Sequence, residues 1–316
     1  MASLNTLKTQ FLEHLEIEKN RSDKTLRNYD FYISRFLSWL GEKKNPSAIT
    51  AEEVRKYRLW LNRLVDVHGI SLKKNTQNYH LIALRSFLKY MAKRDIETLS
   101  AEKIELMKMP DRDVQIIDGS DLNRLLEAPM ITHETIGNDS VNSVLIKYRD
   151  RAILEMLFST GLRVSELAGL KMDNVNLKKD EFTVQGKGRK SRVVFMGEQA
   201  KYWLKKYLDR RKDMNPYLFV SHDERTKGND DKPLTTRSIQ RMVHTYAKHA
   251  GITKSVTPHT LRHSFATDLL QNGADIRSVQ TMLGHSSITT TQIYTHITDK
   301  ELLNVHKKFH GKKRGY

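Results

Sequence analysis

The sequence predicts a mainly α-helical protein of two domains with one small antiparallel β-sheet. Three observations predict it. Apolar residues in the first third recur at helical spacing. That pattern breaks at 107-MKMPDRDVQIID-118, where Pro110 is flanked by charges. Further on, 181-EFTVQGKGRKSRVVFM-196 has β-prone ends around a Gly-rich, basic middle, which reads as a hairpin. The 316 residues suffice for about two ordinary domains. The expected division is a helical domain at 1–108, a linker at 109–118, a mixed domain at 119–300 and a tail at 301–316.

The elements follow in order. Ser22 is a plausible N-cap for a helix carrying Leu26, Tyr29, Ile33, Phe36, Leu37 and Leu40. Thr50 and Glu53 form a capping-box pattern ahead of Val54, Tyr57, Leu61 and Leu64. A further helix carries Tyr79, Ala83, Ser86, Phe87 and Tyr90. Each has a polar face rich in Lys and Arg, which suits plain solvation or a polyanion. A fresh helix starts near Ser120, and 148-YRDRAILEMLFS-159 reads as a buried helix stopped at Gly161. Two stretches read as surface loops, 131-ITHETIGNDSVNS-143 and 221-SHDERTKGNDDKP-233. Helices are expected from there to the end.

Composition narrows the function classes. Lys and Arg number 54 against 37 Asp and Glu, a formal net charge of +17. Such an excess suits a polyanionic partner, although a basic enzyme of unrelated function would also carry it. The absence of cysteine excludes disulfides, thiol catalysis and cysteine zinc sites. No apolar run reaches the roughly 20 residues of a membrane helix. The first residues, MASLNTLKTQFLEHLEIEKN, lack the long apolar core of a signal peptide. A cytoplasmic protein without a membrane partner is expected.

The chemistry is concentrated in four short segments. In 257-TPHTLRHSFATDLL-270, Thr257 suits an N-cap and Pro258 the first helical position. His259 and Arg262 then share a helix face, with His263 near it, and Leu261, Phe265 and Leu269 form an apolar stripe. The paired histidines resemble a zinc-protease helix, but the general-base Glu of that motif is replaced by Thr260. A His and an Arg at a helix start suit an anion better. In 159-STGLRVSELAGL-170, Arg163 begins a helix, where it either meets a ligand or simply pairs with Glu166. In 186-GKG-188, Lys187 occupies a hairpin turn, either functional or merely solvated. In 283-LGHSSITTTQIYTHI-297, Gly284 ends a helix, His285 follows, and Tyr294 lies on a short helix from about Ser287. Together, two Arg, one Lys, two His and one Tyr are what metal-free phosphodiester cleavage needs. Arginines hold non-bridging oxygens, a nucleophile attacks, and an acid protonates the leaving oxygen.

In this order, the segments resemble the tyrosine recombinase (integrase) family, and within it the bacterial and archaeal Xer-type recombinases. The likeness extends over both domains, and the length suits a Xer-like protein without an added N-terminal arm-binding domain. The resemblance implies an N-terminal SAM-like helical core-binding domain and a catalytic domain that together form a C-shaped clamp on double-stranded DNA. It implies Arg163 and Arg262 as the phosphate clamp and Lys187 as general acid for the departing 5′-oxygen. It implies His259 as an aid to proton transfer, His285 as a hydrogen-bond donor to the phosphate and Tyr294 as nucleophile. The product of attack would be a 3′-phosphotyrosyl link and a free 5′-hydroxyl, without metal, ATP or other cofactor. His263 and Glu166 would position the helix and Arg163. Four protomers would hold two duplexes and exchange strands through a Holliday junction, two being active at a time. The tail, 301-ELLNVHKKFHGKKRGY-316, carries an apolar stripe of Leu302, Val305 and Phe309. In the family such a tail docks on a neighbour, in many members with His-Pro-Arg where this chain has His310-Gly311-Lys312, and the sequence leaves open whether it docks in trans or packs in cis.

The implied role is chromosome dimer resolution in the cytoplasm, at the nucleoid. A mobile-element integrase or transposase shares the chemistry and is the main alternative. A type IB topoisomerase and a DNA-binding protein without catalysis are weaker ones. The sequence leaves open the target site and whether a paralogous recombinase or a DNA translocase takes part.

Overall fold

The computed structural model describes residues 3–41, 45–67, 69–109, 115–135, 141–186, 191–222 and 232–284, without the side chains of 132–135 and 141–142. The chain separates into two units, residues 1–111 and 112–316.

Among the described residues, four α-helices build the first unit: α1 (Leu4–Ile17), α2 (Asp23–Leu40), α3 (Ala51–Arg63) and α4 (Lys74–Ala92). The expected helices do not include α1. Its signal is the buried series Leu4, Leu7, Phe11 and Leu15 behind the N-cap Ser3, whose hydroxyl accepts from Thr6 N. In α2 the expected stripe is buried at Ile33, Phe36, Leu37 and Leu40. Thr50 caps α3 by accepting from Glu53 N, while the Glu53 carboxylate turns to Lys56 instead of closing a capping box. In α4 the core face runs through Leu81, Leu84, Phe87, Leu88 and Met91. Helix α4 carries Tyr79 as expected, but with the residue 49% exposed. The buried series fixes the inward direction, Tyr79 lies off it, and its ring stacks on Tyr32.

The second unit is organised around α6 (Val141–Thr160), whose Ala152, Ile153, Leu154, Met156 and Leu157 are fully buried. Against it pack α5 (Gly119–Thr135), α8 (Glu198–Leu208) and α10 (Pro258–Gln271). The short α7 (Val164–Ala168), α9 (Thr236–His249) and α11 (Ile276–Leu283) complete the helices among the described residues. The strands β1 (Glu181–Gln185) and β2 (Ser191–Phe195) form the expected antiparallel pair, with Glu181 opposite Phe195 and Val184 opposite Arg192. Phe182, Val184 and Val194 turn inward. The loop expected at 131–143 is corrected at both ends, because α5 runs through Thr135 and α6 starts at Val141. Leu145 and Tyr148 pack on the core, which holds the helix together a turn earlier than the apolar run at 148 indicates. The loop at 221–233 lies mostly outside the described residues, as do Pro110, Lys187, His285, Tyr294 and the tail 301–316.

Candidate active site

Helix α10 supplies the first part of the site. Thr257 Oγ1 accepts from Thr260 N at 3.1 Å, and Thr257 N donates to Thr260 Oγ1 at 3.2 Å. The position that is Glu in a zinc protease is thus occupied by a capping group. Most of α10 is buried, at Pro258, Thr260, Leu261, Arg262, Ser264, Ala266, Thr267 and Leu270. Its outward side carries His259, exposed, and His263, half-buried. Their Nε2 atoms are 2.8 Å apart. In that contact one ring donates and the other accepts, so the pair shares a single proton there. The predicted apolar stripe divides: Leu261 enters the main core, whereas Phe265 and Leu269 pack on a smaller cluster with Val279 and Leu283 of α11.

Arg262 points inward and is 3% exposed. Its guanidinium donates to the carbonyls of Gly161 and Leu283. Gly161 has φ 58°, a left-handed conformation, and a Cβ there would lie 2.5 Å from Phe265 Cδ1 and 3.1 Å from Leu283 Cδ2. Glycine is therefore required both to stop α6 and to let α10 and α11 close on that corner.

Arg163 is the N-cap of α7. Its Nη1 donates to Glu166 Oε1 at 2.8 Å, its backbone N to Glu166 Oε2 at 2.8 Å, and its Nη2 to Gly284 O at 3.1 Å. The pairing with Glu166 and a functional place for Arg163 are alternatives on sequence; the structure has the pairing, and it holds Arg163 at the end of α11. A third arginine joins them. Arg192 donates from Nη1 and Nη2 to the two Glu166 oxygens, each at 2.8 Å, and from Nε to Met282 O at 3.0 Å. Burial pushes the Glu166 carboxyl up, but hydrogen bonds from Arg192 and from Arg163 outweigh it and pull it down to about 2.

Three guanidiniums thus grip three successive carbonyls, Met282, Leu283 and Gly284, at the C-terminal turn of α11. A helix C-terminus leaves such carbonyls without helical partners and carries partial negative charge, so cations belong there. Three positive groups against one carboxylate still leave an excess of positive charge. Arg163 is the most open of them, its side chain 35% exposed against 10% for Arg192. The excess positive charge, most open at Arg163, can hold a tetrahedral oxyanion.

Of the six residues singled out in the sequence, the structure brings Arg163 and Arg262 together and places His259 on the same helix as Arg262. Lys187, His285 and Tyr294 lie outside the described residues; Gly186 and Gly284, the chain neighbours of Lys187 and His285, are described. Sequence reasoning misses Arg192. Its signal is an arginine in the inward register of β2, two positions before the buried Val194, where a charge needs a partner.

Comparison with known proteins extends this picture. Residues 117–301 match the model of the phage integrase family, and residues 9–95 match that of its N-terminal SAM-like domain. The chain is 38% identical to tyrosine recombinase XerD of Chlorobaculum tepidum, over 96% of each protein. It is 36% identical to tyrosine recombinase XerC of Pelobacter propionicus, over 96% of this chain and 95% of that one. The fold also matches a crystal structure of the XerH site-specific recombinase bound to its difH substrate. That match has a TM-score of 0.68 at 23% identity, covering 99% of this chain and 86% of the other.

Proposed function

The chain belongs to the phage integrase family of tyrosine recombinases, and on that premise we propose that Arg163, Lys187, His259, Arg262 and His285 surround a Tyr294 nucleophile in an enzyme of the Xer type. Such an enzyme is a site-specific DNA recombinase. The observation that carries the site assignment is the convergence of Arg163 and Arg262 on the end of α11, immediately before His285 in the chain.

In this reading the two arginines bind the non-bridging oxygens of the scissile phosphate and stabilise the charge that grows on them. A tyrosine hydroxyl titrates near 10 in water, so it needs this positive setting to attack near neutrality. The Tyr294 oxygen forms a bond to phosphorus as its proton passes toward His259. The bond to the 5′-oxygen breaks, and Lys187 supplies the proton that makes it a hydroxyl. The 3′-phosphotyrosyl link keeps the phosphodiester energy, and a 5′-hydroxyl from a partner strand reverses the step. Recombination between two duplexes needs four such sites, hence a tetramer. The first unit would act as the core-binding domain, and phosphate contacts would supply most of the affinity. Names of both XerC and XerD type among the relatives support the Xer role in chromosome dimer resolution over a mobile-element role.

Substitution tests the clamp. Arg163→Ala should lower single-turnover cleavage of a recombination-site duplex by about 100-fold or more, as loss of a transition-state contact does. EDTA should leave the unmutated enzyme's rate unchanged. Normal cleavage by Arg163→Ala would refute the clamp, and loss of cleavage in EDTA would return the paired histidines to a metal role.

A further inference from the structure

The chemistry proposed above makes no use of Arg192, yet this side chain ties three parts of the site together. It sits on β2, the strand that follows Lys187 in the chain. Its guanidinium spans from Glu166 of α7 to the Met282 carbonyl at the end of α11. Its stem fills the space beside Gly284: a Cβ built there would lie 2.8 Å from Arg192 Cδ. Gly284 also has φ 63°, so the turn that leads into His285 is shaped by glycine freedom on one side and by Arg192 on the other.

Glu166 is saturated. A carboxylate has about four lone-pair positions, and here it accepts from Arg192 Nη1, Arg192 Nη2, Arg163 Nη1 and Arg163 N. Its side chain is 7% exposed, so water cannot easily replace a lost donor. Without Arg192 the carboxylate would be left with Arg163 as its charged partner and would draw that guanidinium toward itself. The group expected to hold the phosphate would then be misplaced.

We propose that Arg192 is a positioning residue of the recombination reaction: it saturates Glu166 so that Arg163 is presented to the scissile phosphate. This inference rests on the reading of Tyr294 as nucleophile. Arginine is required because one planar group must serve both carboxylate oxygens and a carbonyl at once. A lysine ammonium lacks that fork.

The test is single-turnover formation of the covalent protein–DNA adduct, with saturating full-length protein on a nicked recombination-site duplex. Wild type, R192K, R192Q, R163A and the double variant R163A/R192K are compared, with DNA affinity and thermal unfolding measured on each. R192K and R192Q should cut the cleavage rate by about 30-fold or more with DNA affinity within about 3-fold of wild type. The double variant should cleave no more than about 3-fold slower than R163A, because Arg192 acts through Arg163. A merely structural role would give losses that multiply. Cleavage by R192K and R192Q within about 3-fold of wild type, or multiplying losses, would overturn the inference. Should the Arg192 variants fail to fold, E166Q, which keeps the shape and removes the charge, replaces them in the comparison against R163A: losses that do not multiply uphold the inference, and multiplying losses overturn it. If wild type gives an adduct that Y294F lacks while the Arg192 variants behave normally, this inference alone fails. If wild type gives none, the Tyr294 reading falls and takes the inference with it.

Discussion

The two units treat charge in opposite ways. In the first, every ion pair among the described residues keeps at least one partner well exposed, and Arg55 and Glu52 have side chains 65% and 54% exposed. Its buried polar side chains among the described residues are uncharged or weakly basic, Gln77, Asn78 and His80. In the second, Arg149, Arg151 and Arg262 are buried, together with Asp150 and Glu155. Burying an ion pair costs several kcal/mol of desolvation and seldom improves stability over a well-packed apolar core. The first unit is therefore built by apolar burial, with its cations left on the surface for a polyanion. The second buries arginines as well, each held by a carboxylate or by backbone carbonyls.

Four substitutions break or sharpen this contrast. Arg262→Ala should have the largest effect. It removes a buried guanidinium and strips two carbonyls of their donor, so cleavage should fall by about 1000-fold and unfolding free energy by about 3 kcal/mol. Urea unfolding and adduct kinetics read both; a stable, active variant would erase the distinction between the units. Phe87→Ala, in the core of the first unit, should cost about 3–5 kcal/mol in the stability of that unit. It should leave the proximity of the arginines in the second unit untouched, which calorimetric scans of wild type and variant would resolve as a shift in one transition.

Glu166→Gln probes the paired charge through pH. The folded carboxyl is depressed from an ordinary 4.5 to about 2. The unfolded chain thus binds a proton at a pH where the folded one does not. The stabilisation is fully present above about pH 4.5 and is lost as pH falls toward 2, amounting to the order of 3 kcal/mol. The Gln variant should be less stable at neutral pH and flatter through that window in acid titrations followed by circular dichroism. Equal slopes would contradict the charge assignment. The smallest effect belongs to Arg55→Ala on α3, which should stay within about 0.5 kcal/mol of wild type because both partners are solvated. A larger loss would mean that the surface of the first unit holds more than plain ion pairs.

Much of this architecture is legible in the amino-acid sequence alone. Local rules carry it: Thr257 before Pro258 marks a helix start, Gly161 and Gly284 mark stops, and the spacing of Arg163 and Glu166 sets their pairing. What escapes depends on distance along the chain. Arg192 meets Glu166 and Met282 only after the hairpin, α7 and α11 have come together. Tyr79 satisfies helical spacing, but which of two neighbouring stripes faces inward is decided by what α4 packs against. The start of α6 runs further than its polar sequence indicates, since packing at Leu145 and Tyr148 outweighs weak local propensity. The hydrogen bond from Ile117 N to Ser264 Oγ, which ties the start of the second unit to α10, has no local signal at all.

The central claim is that this arginine-built site serves a tyrosine nucleophile. The most direct test is covalent trapping: the full-length protein is incubated with nicked duplexes bearing recombination sites, and the products are run on a denaturing gel beside Tyr294→Phe. An adduct present with the unmutated protein and absent with the variant is the expected result. An adduct that survives Tyr294→Phe would show that another residue attacks and would contradict the account.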